Sequence, residues 1–167
     1  GEVIDRATGV LSLATGVEAT PDSVFQIGST TKLWTASLVM QLVDEGKVDL
    51  DAPIRTYLPE FRILDESAAA QITTRQLLSH TAGFEGDIFT DTGLGDDAVE
   101  KYLGVLHEVP QLFPPGDQFS YNNAGYVVLA LIAERATGTP FHQLVQYRVC
   151  ERAGMRDTAF LRSDELP

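Results

Sequence analysis

Apolar positions along the chain cluster into a few stretches with helical spacing. From Ser29 to Glu45, Leu33, Ala36, Met40 and Val43 recur three and four apart, and Leu38, Val39 and Leu42 widen the stripe. That pattern predicts a helix buried on most sides, opened by Gly28-Ser29 and closed by Gly46. Asn123 to Thr137 repeats the pattern through Val127, Val128, Leu131 and Ile132, with Gly138 as the stop. Shorter helices are predicted from a Thr73 or Thr74 cap through Ser79, ending near Gly83, and from an Asp96 or Asp97 cap to about Glu108. A last one covers about Phe141 to Ala153. Glu2–Asp5 and Gly9–Leu13 are β-prone and read as a strand with its turn. Asp49–Pro59 is polar and proline-punctuated, residues 84–97 form a Gly/Asp-rich loop, and Pro110, Pro114, Pro115 and Gly116 impose an irregular connection. The chain is rich in helix and poor in strand, with no internal repeat or low-complexity tract.

Composition narrows this picture. With 167 residues, 44% hydrophobic and 22% charged, the chain is expected to form one domain with a substantial core. A formal charge of −12 repels phosphate backbones and anionic lipid, which argues against nucleic acid as a partner. The single cysteine, Cys150, excludes an internal disulfide and reads as a small buried hydrophobe beside Leu144, Val145 and Val149. No apolar run reaches membrane-span length. The chain opens on Gly1-Glu2-Val3-Ile4, so a processed or trimmed N-terminus is expected; periplasmic, secreted and cytoplasmic placement all stay open.

Two short patterns could carry chemistry. In Ser29-Thr30-Thr31-Lys32, residues three apart share a helical face, so a hydroxyl and an amine can meet. A neutral amine can take the hydroxyl proton, and burial and the first turn of a helix both favour the neutral form. The Ser29 N–H, in that same turn, can donate to a developing oxyanion. The alternative is a capping serine with a solvated lysine. In Tyr121-Asn122-Asn123, a phenol and an amide two residues apart can point into one cleft, where the phenol relays a proton and the amide holds a carbonyl or the lysine. Alternatively, Asn122 or Asn123 simply caps the following helix.

Five segments in order resemble the penicillin-binding-protein and class C β-lactamase family. Phe25–Lys32 is similar to its Ser-x-x-Lys box, Leu42–Asp51 to the end of its nucleophile helix, and Thr73–Gly83 to its Leu-Leu-x-His-Thr stretch. Pro115–Asn123 is similar to its Tyr-x-Asn box, and Gly154–Thr158 to the close of its helical subdomain. The resemblance implies an α+β, β-lactamase/transpeptidase-like fold. Residues 1–27 would be a strand/turn remnant of the sheet, and residues 28–167 the nucleophile helix and helical subdomain. It also implies a serine hydrolase of the class C β-lactamase, esterase and D-Ala-D-Ala carboxypeptidase branch, forming an acyl-enzyme on an ester, β-lactam or D-Ala-D-Ala-type peptide. Ser29 would be the nucleophile, and Lys32 the proton acceptor or the group that tunes Tyr121. Tyr121 would be the general base or relay, and Asn123 would orient substrate and Lys32. Which of Lys32 and Tyr121 takes the first proton stays open. No cofactor or metal is implied.

The family's third box, Lys-Thr-Gly or His-x-Gly on a later strand, has no counterpart. The lysines are Lys32, Lys47 and Lys101, and His80, His107 and His142 lack a glycine two places on. The alternative function is therefore a non-catalytic fragment, or a binding or structural remnant of the fold. Sheet edges left bare by missing strands would invite self-association. His80 reads as a structural hydrogen-bonding residue, His107-Glu108 as a solvated pair and Trp34 as core. Gly93–Ala98 reads as a loop rather than a dinucleotide site, and the acidic loop 84–97 as solvated or as the rim of a cleft.

Overall fold

A computed structural model describes residues 2–93, 95 and 97–160. The chain divides into two compact units, Gly1–Thr30 and Thr31–Pro167.

The first unit contains a turn rather than a strand. Val10 and Glu18 form one antiparallel bridge, supported by Leu11 N–H donating to the Val17 carbonyl (2.7 Å) and Ala19 N–H to the Gly9 carbonyl (3.0 Å). The strand expected over Glu2–Asp5 and Gly9–Leu13 does not form. Gly9 and Gly16 both take positive φ, which turns the chain back before a ladder can extend, and a strand without a partner has nothing to bond to. Gly28–Thr30 closes this unit as a single 3₁₀ turn.

The second unit is helical: α1 (Thr31–Asp44), α2 (Glu66–Ala69), α3 (Thr74–Leu78), α4 (Ala98–Val105), α5 (Asn123–Thr137) and α6 (Phe141–Val145). Helix α5 is the centre, packed on α1, α3, α4 and α6, with Leu129, Ile132 and Ala133 fully buried. Its ends follow the sequence closely. Asn122 caps the start through its side chain, and Gly138, in the left-handed conformation, closes the end. Thr73 caps α3 with a complete capping box: Gln76 N–H donates to Thr73 Oγ1, and Thr73 N–H to Gln76 Oε1. Asp97 stands before α4 without capping it and pairs instead with Lys101 (2.9 Å); Asp96, the other cap candidate, lies outside the described residues. The helix expected to reach Ala153 is shorter, α6 passing into a π-helical turn over Gln146–Cys150. Cys150 is buried, as expected.

Helix α1 departs from its expected burial. The packed face is Thr35, Leu38, Val39 and Leu42, set against α5 and α6. Leu33 is 68% exposed and Met40 41% exposed. A stripe nearly apolar all round gives no preferred face by periodicity alone; contact with α5 selects one side and leaves the Leu33–Met40 side open.

Among the described residues no strand forms. The antiparallel pairings there are the isolated bridges Val10–Glu18, Pro53–Thr73 and Phe84–Gln111. The bare sheet edge on which self-association would depend is therefore not formed among them. No helix there is long and apolar enough to cross a membrane, and no cluster of metal-ligating side chains is found there.

Candidate active site

Helix starts build the site. Lys32 lies in the first turn of α1, and Asn123 is the first residue of α5. Because α1 and α5 pack together, Lys32 Nζ reaches Asn123 Oδ1 and donates to it at 2.7 Å. The same ammonium lies over the ring of Tyr121 at 4.8 Å and over that of Tyr126 at 5.5 Å from the centroids. An amide oxygen and two ring faces are all partners that attract a cation.

The adjacent asparagines divide the two roles that the sequence left open. Asn122 is 2% exposed and structural. Its Oδ1 accepts from Gly125 N–H (2.6 Å), its Nδ2 donates to the Phe84 carbonyl (2.9 Å), and its N–H donates to His80 Nδ1 (3.0 Å). Capping α5 thus falls to Asn122, which leaves Asn123 to face Lys32.

His80 holds Tyr121 in place. Its ring stacks on Tyr121 (4.6 Å, 28°) and on Tyr126 (5.0 Å, 28°), and Phe119 meets its edge (5.6 Å, 73°). Its carbonyl accepts from Ser120 N–H at 2.8 Å. Accepting from Asn122 N–H requires an unprotonated Nδ1, so the imidazole is neutral with its proton on Nε2. Burial, and then the charge of Lys32, hold the His80 pKa below its ordinary value of 6.5. The backbone of His80 is left-handed, with φ 58°. A non-glycine residue in that region is strained, and here the ring stack and two loop hydrogen bonds hold it there.

Tyr126 and Asp87 join the site without having been singled out in the sequence. Tyr126 stands three residues after Asn123, on the same helical face, and its hydroxyl donates to the Leu78 carbonyl at 3.0 Å. Burial, and then the nearby Tyr121, push its pKa up. Asp87 Oδ1 accepts from Asn123 Nδ2 at 2.9 Å. The i, i+3 spacing from Asn123 was a readable signal for Tyr126. Asp87 had none beyond its place in an acidic loop.

The remaining candidate, Ser29, lies exposed in the 3₁₀ turn that ends the first unit; Lys32, Tyr121 and Asn123 belong to the second. Two hollows of about 340 and 660 Å³, one beside Ser67, Gln71 and Phe113 and the other beside Glu134, Phe141 and His142, include none of Lys32, Tyr121 and Asn123. The chemistry-bearing side chains define this site, and neither hollow coincides with it.

Known proteins are similar to this chain over nearly its whole length. Penicillin-binding protein 4 of Amycolatopsis lactamdurans is 40% identical over 166 residues, an alignment covering 99% of this chain and 44% of that protein. Esterase EstB of Burkholderia gladioli is 32% identical over 179 residues, covering 98% of this chain and 45% of that one. The crystal structure of a penicillin binding protein from Bacillus halodurans superposes with a TM-score of 0.78 at 30% identity, over 96% of this chain and 51% of the other. The chain spans less than half the length of the two curated relatives, and its superposition on the Bacillus halodurans structure supports a β-lactamase/transpeptidase-like fold. The Beta-lactamase family model matches residues 1–166, and the chain belongs to that family.

Proposed function

We propose that this chain carries the nucleophile helix and helical subdomain of a serine hydrolase that works through an acyl-enzyme, with Ser29 as nucleophile. The observation that carries the reading is the assembly of Lys32, Tyr121 and Asn123, from two distant motifs, around one hydrogen bond of 2.7 Å. Of the two roles open to Lys32, its surroundings favour the electrostatic one. An ammonium held by an amide oxygen over a phenol ring stabilises negative charge on Tyr121, which then receives the Ser29 proton. Ser29 Oγ bonds to the substrate carbonyl carbon, and the leaving group departs with the proton from Tyr121. Water then attacks the ester, returning the proton by the same relay.

The substrate class is an ester, a β-lactam or a D-Ala-D-Ala-type peptide. The relatives' names support both ester and penicillin chemistry, being an esterase and penicillin-binding proteins. In this reading the complete domain is α+β, its antiparallel sheet and third box contributed by sequence beyond these 167 residues. Coverage of 44% of a relative leaves room for both. A fluorophosphonate or a labelled penicillin applied to the full-length protein, followed by mass analysis, should mark Ser29; an unmodified Ser29 overturns the proposal.

The lack of a Lys-Thr-Gly or His-x-Gly box within the chain favours a second reading, a non-catalytic remnant. Turnover by the 167-residue chain that disappears in Ser29→Ala would rule this out.

A further inference from the structure

Asn123 lies between two charges of opposite sign. Its Oδ1 accepts from Lys32 at 2.7 Å, and its Nδ2 donates to Asp87 Oδ1 at 2.9 Å. Turning the amide over would put its NH₂ against an ammonium and its oxygen against a carboxylate, losing two charge-assisted hydrogen bonds. Asp87 therefore decides, together with Lys32, which way Asn123 faces.

The backbone beneath Asp87 is pinned to the start of α5 and to the connection at Pro110. The Gly86 carbonyl accepts from Ala124 N–H (3.0 Å), the Phe84 carbonyl accepts from Asn122 Nδ2 (2.9 Å), and Glu85 N–H donates to the Pro110 carbonyl (3.0 Å). Gly86 is buried so close to Asn122 that a Cβ there would come within 2.3 Å of Asn122 Cγ. Asp87 N–H in turn donates to Glu85 Oε1 (2.9 Å). The carboxylate is exposed, yet its anchor is among the tightest backbone packing in the unit.

We propose that Asp87 is a positioning and specificity-determining residue. Its carboxylate holds the Asn123 amide with the oxygen towards Lys32, and it selects acyl compounds that carry a cationic amine beside the carbonyl over their neutral acylated counterparts. The substrate class rests on the hydrolase reading above. An asparagine amide has two N–H groups to offer a ligand; Asp87 takes one and sets a full negative charge next to the other. The partly negative oxygen of a ligand carbonyl approaching on the Asp87 side of the amide is repelled by the carboxylate, whereas an ammonium there is attracted to it, with Lys32 held on the far side of the amide. Opposite charges about 4 Å apart on a solvated surface change affinity roughly fivefold, and salt weakens the effect.

Ser29→Ala in the full-length protein removes the proposed nucleophile, so it allows a binding test independent of hydrolysis. The Asn123 side-chain amide would be followed by proton–nitrogen NMR while alaninamide or N-acetylalaninamide is added. The expected result is half-saturation by alaninamide at a concentration roughly fivefold lower. The preference should shrink at high salt, vanish on adding Asp87→Asn and persist with Asp87→Glu. Asp87→Asn should also shift the Asn123 amide resonances before any ligand is added. Equal affinity for the two ligands, no response at Asn123, or a preference indifferent to Asp87→Asn overturns the proposal. Labelling of wild-type Ser29 is measured separately, so failure of the hydrolase reading and failure of the Asp87 proposal are told apart.

Discussion

Lys32 and Asn123, 91 residues apart in sequence, are joined by a 2.7 Å hydrogen bond between the first turns of two packed helices. The bond ties the two motifs of the candidate site to the core that holds α1 against α5. It also gives the two residues of one dipeptide different partners, since Asn122 caps α5 while Asn123 accepts from the lysine.

That separation gives opposite outcomes for neighbouring substitutions. Asn122→Ala removes a cap and leaves Gly125 N–H and the Phe84 carbonyl without their partner, so urea unfolding should register a loss of about 1–3 kcal/mol. Asn123→Ala should leave the unfolding midpoint nearly unchanged and, on the proposed hydrolase reading, lower kcat/KM of the full-length protein for an aryl ester by roughly 10–100-fold, the scale of one charge-assisted hydrogen bond. Equal stability losses from both would contradict the division of roles.

Acid should weaken the fold through His80. The folded-state pKa lies below the unfolded value near 6.5, so between the two values the unfolded chain binds more protons. Stability is therefore fully present above about pH 6.5 and falls as pH drops towards the folded-state pKa. Protonation at Nδ1 would also break the bond from Asn122 N–H and set a second cation near Lys32. His80→Asn tolerates left-handed backbone and does not titrate. Thermal unfolding of wild type and His80→Asn between pH 7.5 and 5 should show a smaller decline in the variant, though from a lower starting point because the ring stack is lost.

Two glycines should respond to alanine with opposite signs. At Gly86 the added Cβ meets Asn122 Cγ at 2.3 Å and Cα at 2.5 Å, so Gly86→Ala should cost about 1–3 kcal/mol and disturb the Asp87–Asn123 bond. Gly104 lies within α4 with nothing within 4 Å of a new Cβ, so Gly104→Ala should stabilise by roughly 0.5–1 kcal/mol. Denaturation midpoints of the two variants check both signs.

The two faces of α1 can be told apart by truncation in the 167-residue chain. Leu38→Ala opens a cavity in a fully buried position and should cost about 2–5 kcal/mol. Leu33→Ala, at a largely exposed position, should change stability by less than about 0.5 kcal/mol. Similar losses at both positions would contradict the selection of one face of α1 by α5.

Much of this was legible in the chain because it depends on local chemistry. A threonine cap at Thr73 or Thr74, a helix stop at Gly138 and burial of the apolar run of α5 follow from local chemistry, while the structure chose Thr73 and added Gln76 to make a capping box. Ser29, Lys32, Tyr121 and Asn123 could be named as candidates from motif order. What periodicity could not supply was the choice among equivalent surfaces. The nearly all-apolar α1 has no face until α5 selects one, and Glu2–Leu13 has no ladder without a partner strand. The division of labour between Asn122 and Asn123, the stacking of His80 between Tyr121 and Tyr126, and the contact of Asp87 with Asn123 bring together residues from separate segments. Those pairings depend on distances in three dimensions, which only the packing of α1 and of the loop at Gly86 against α5 determines.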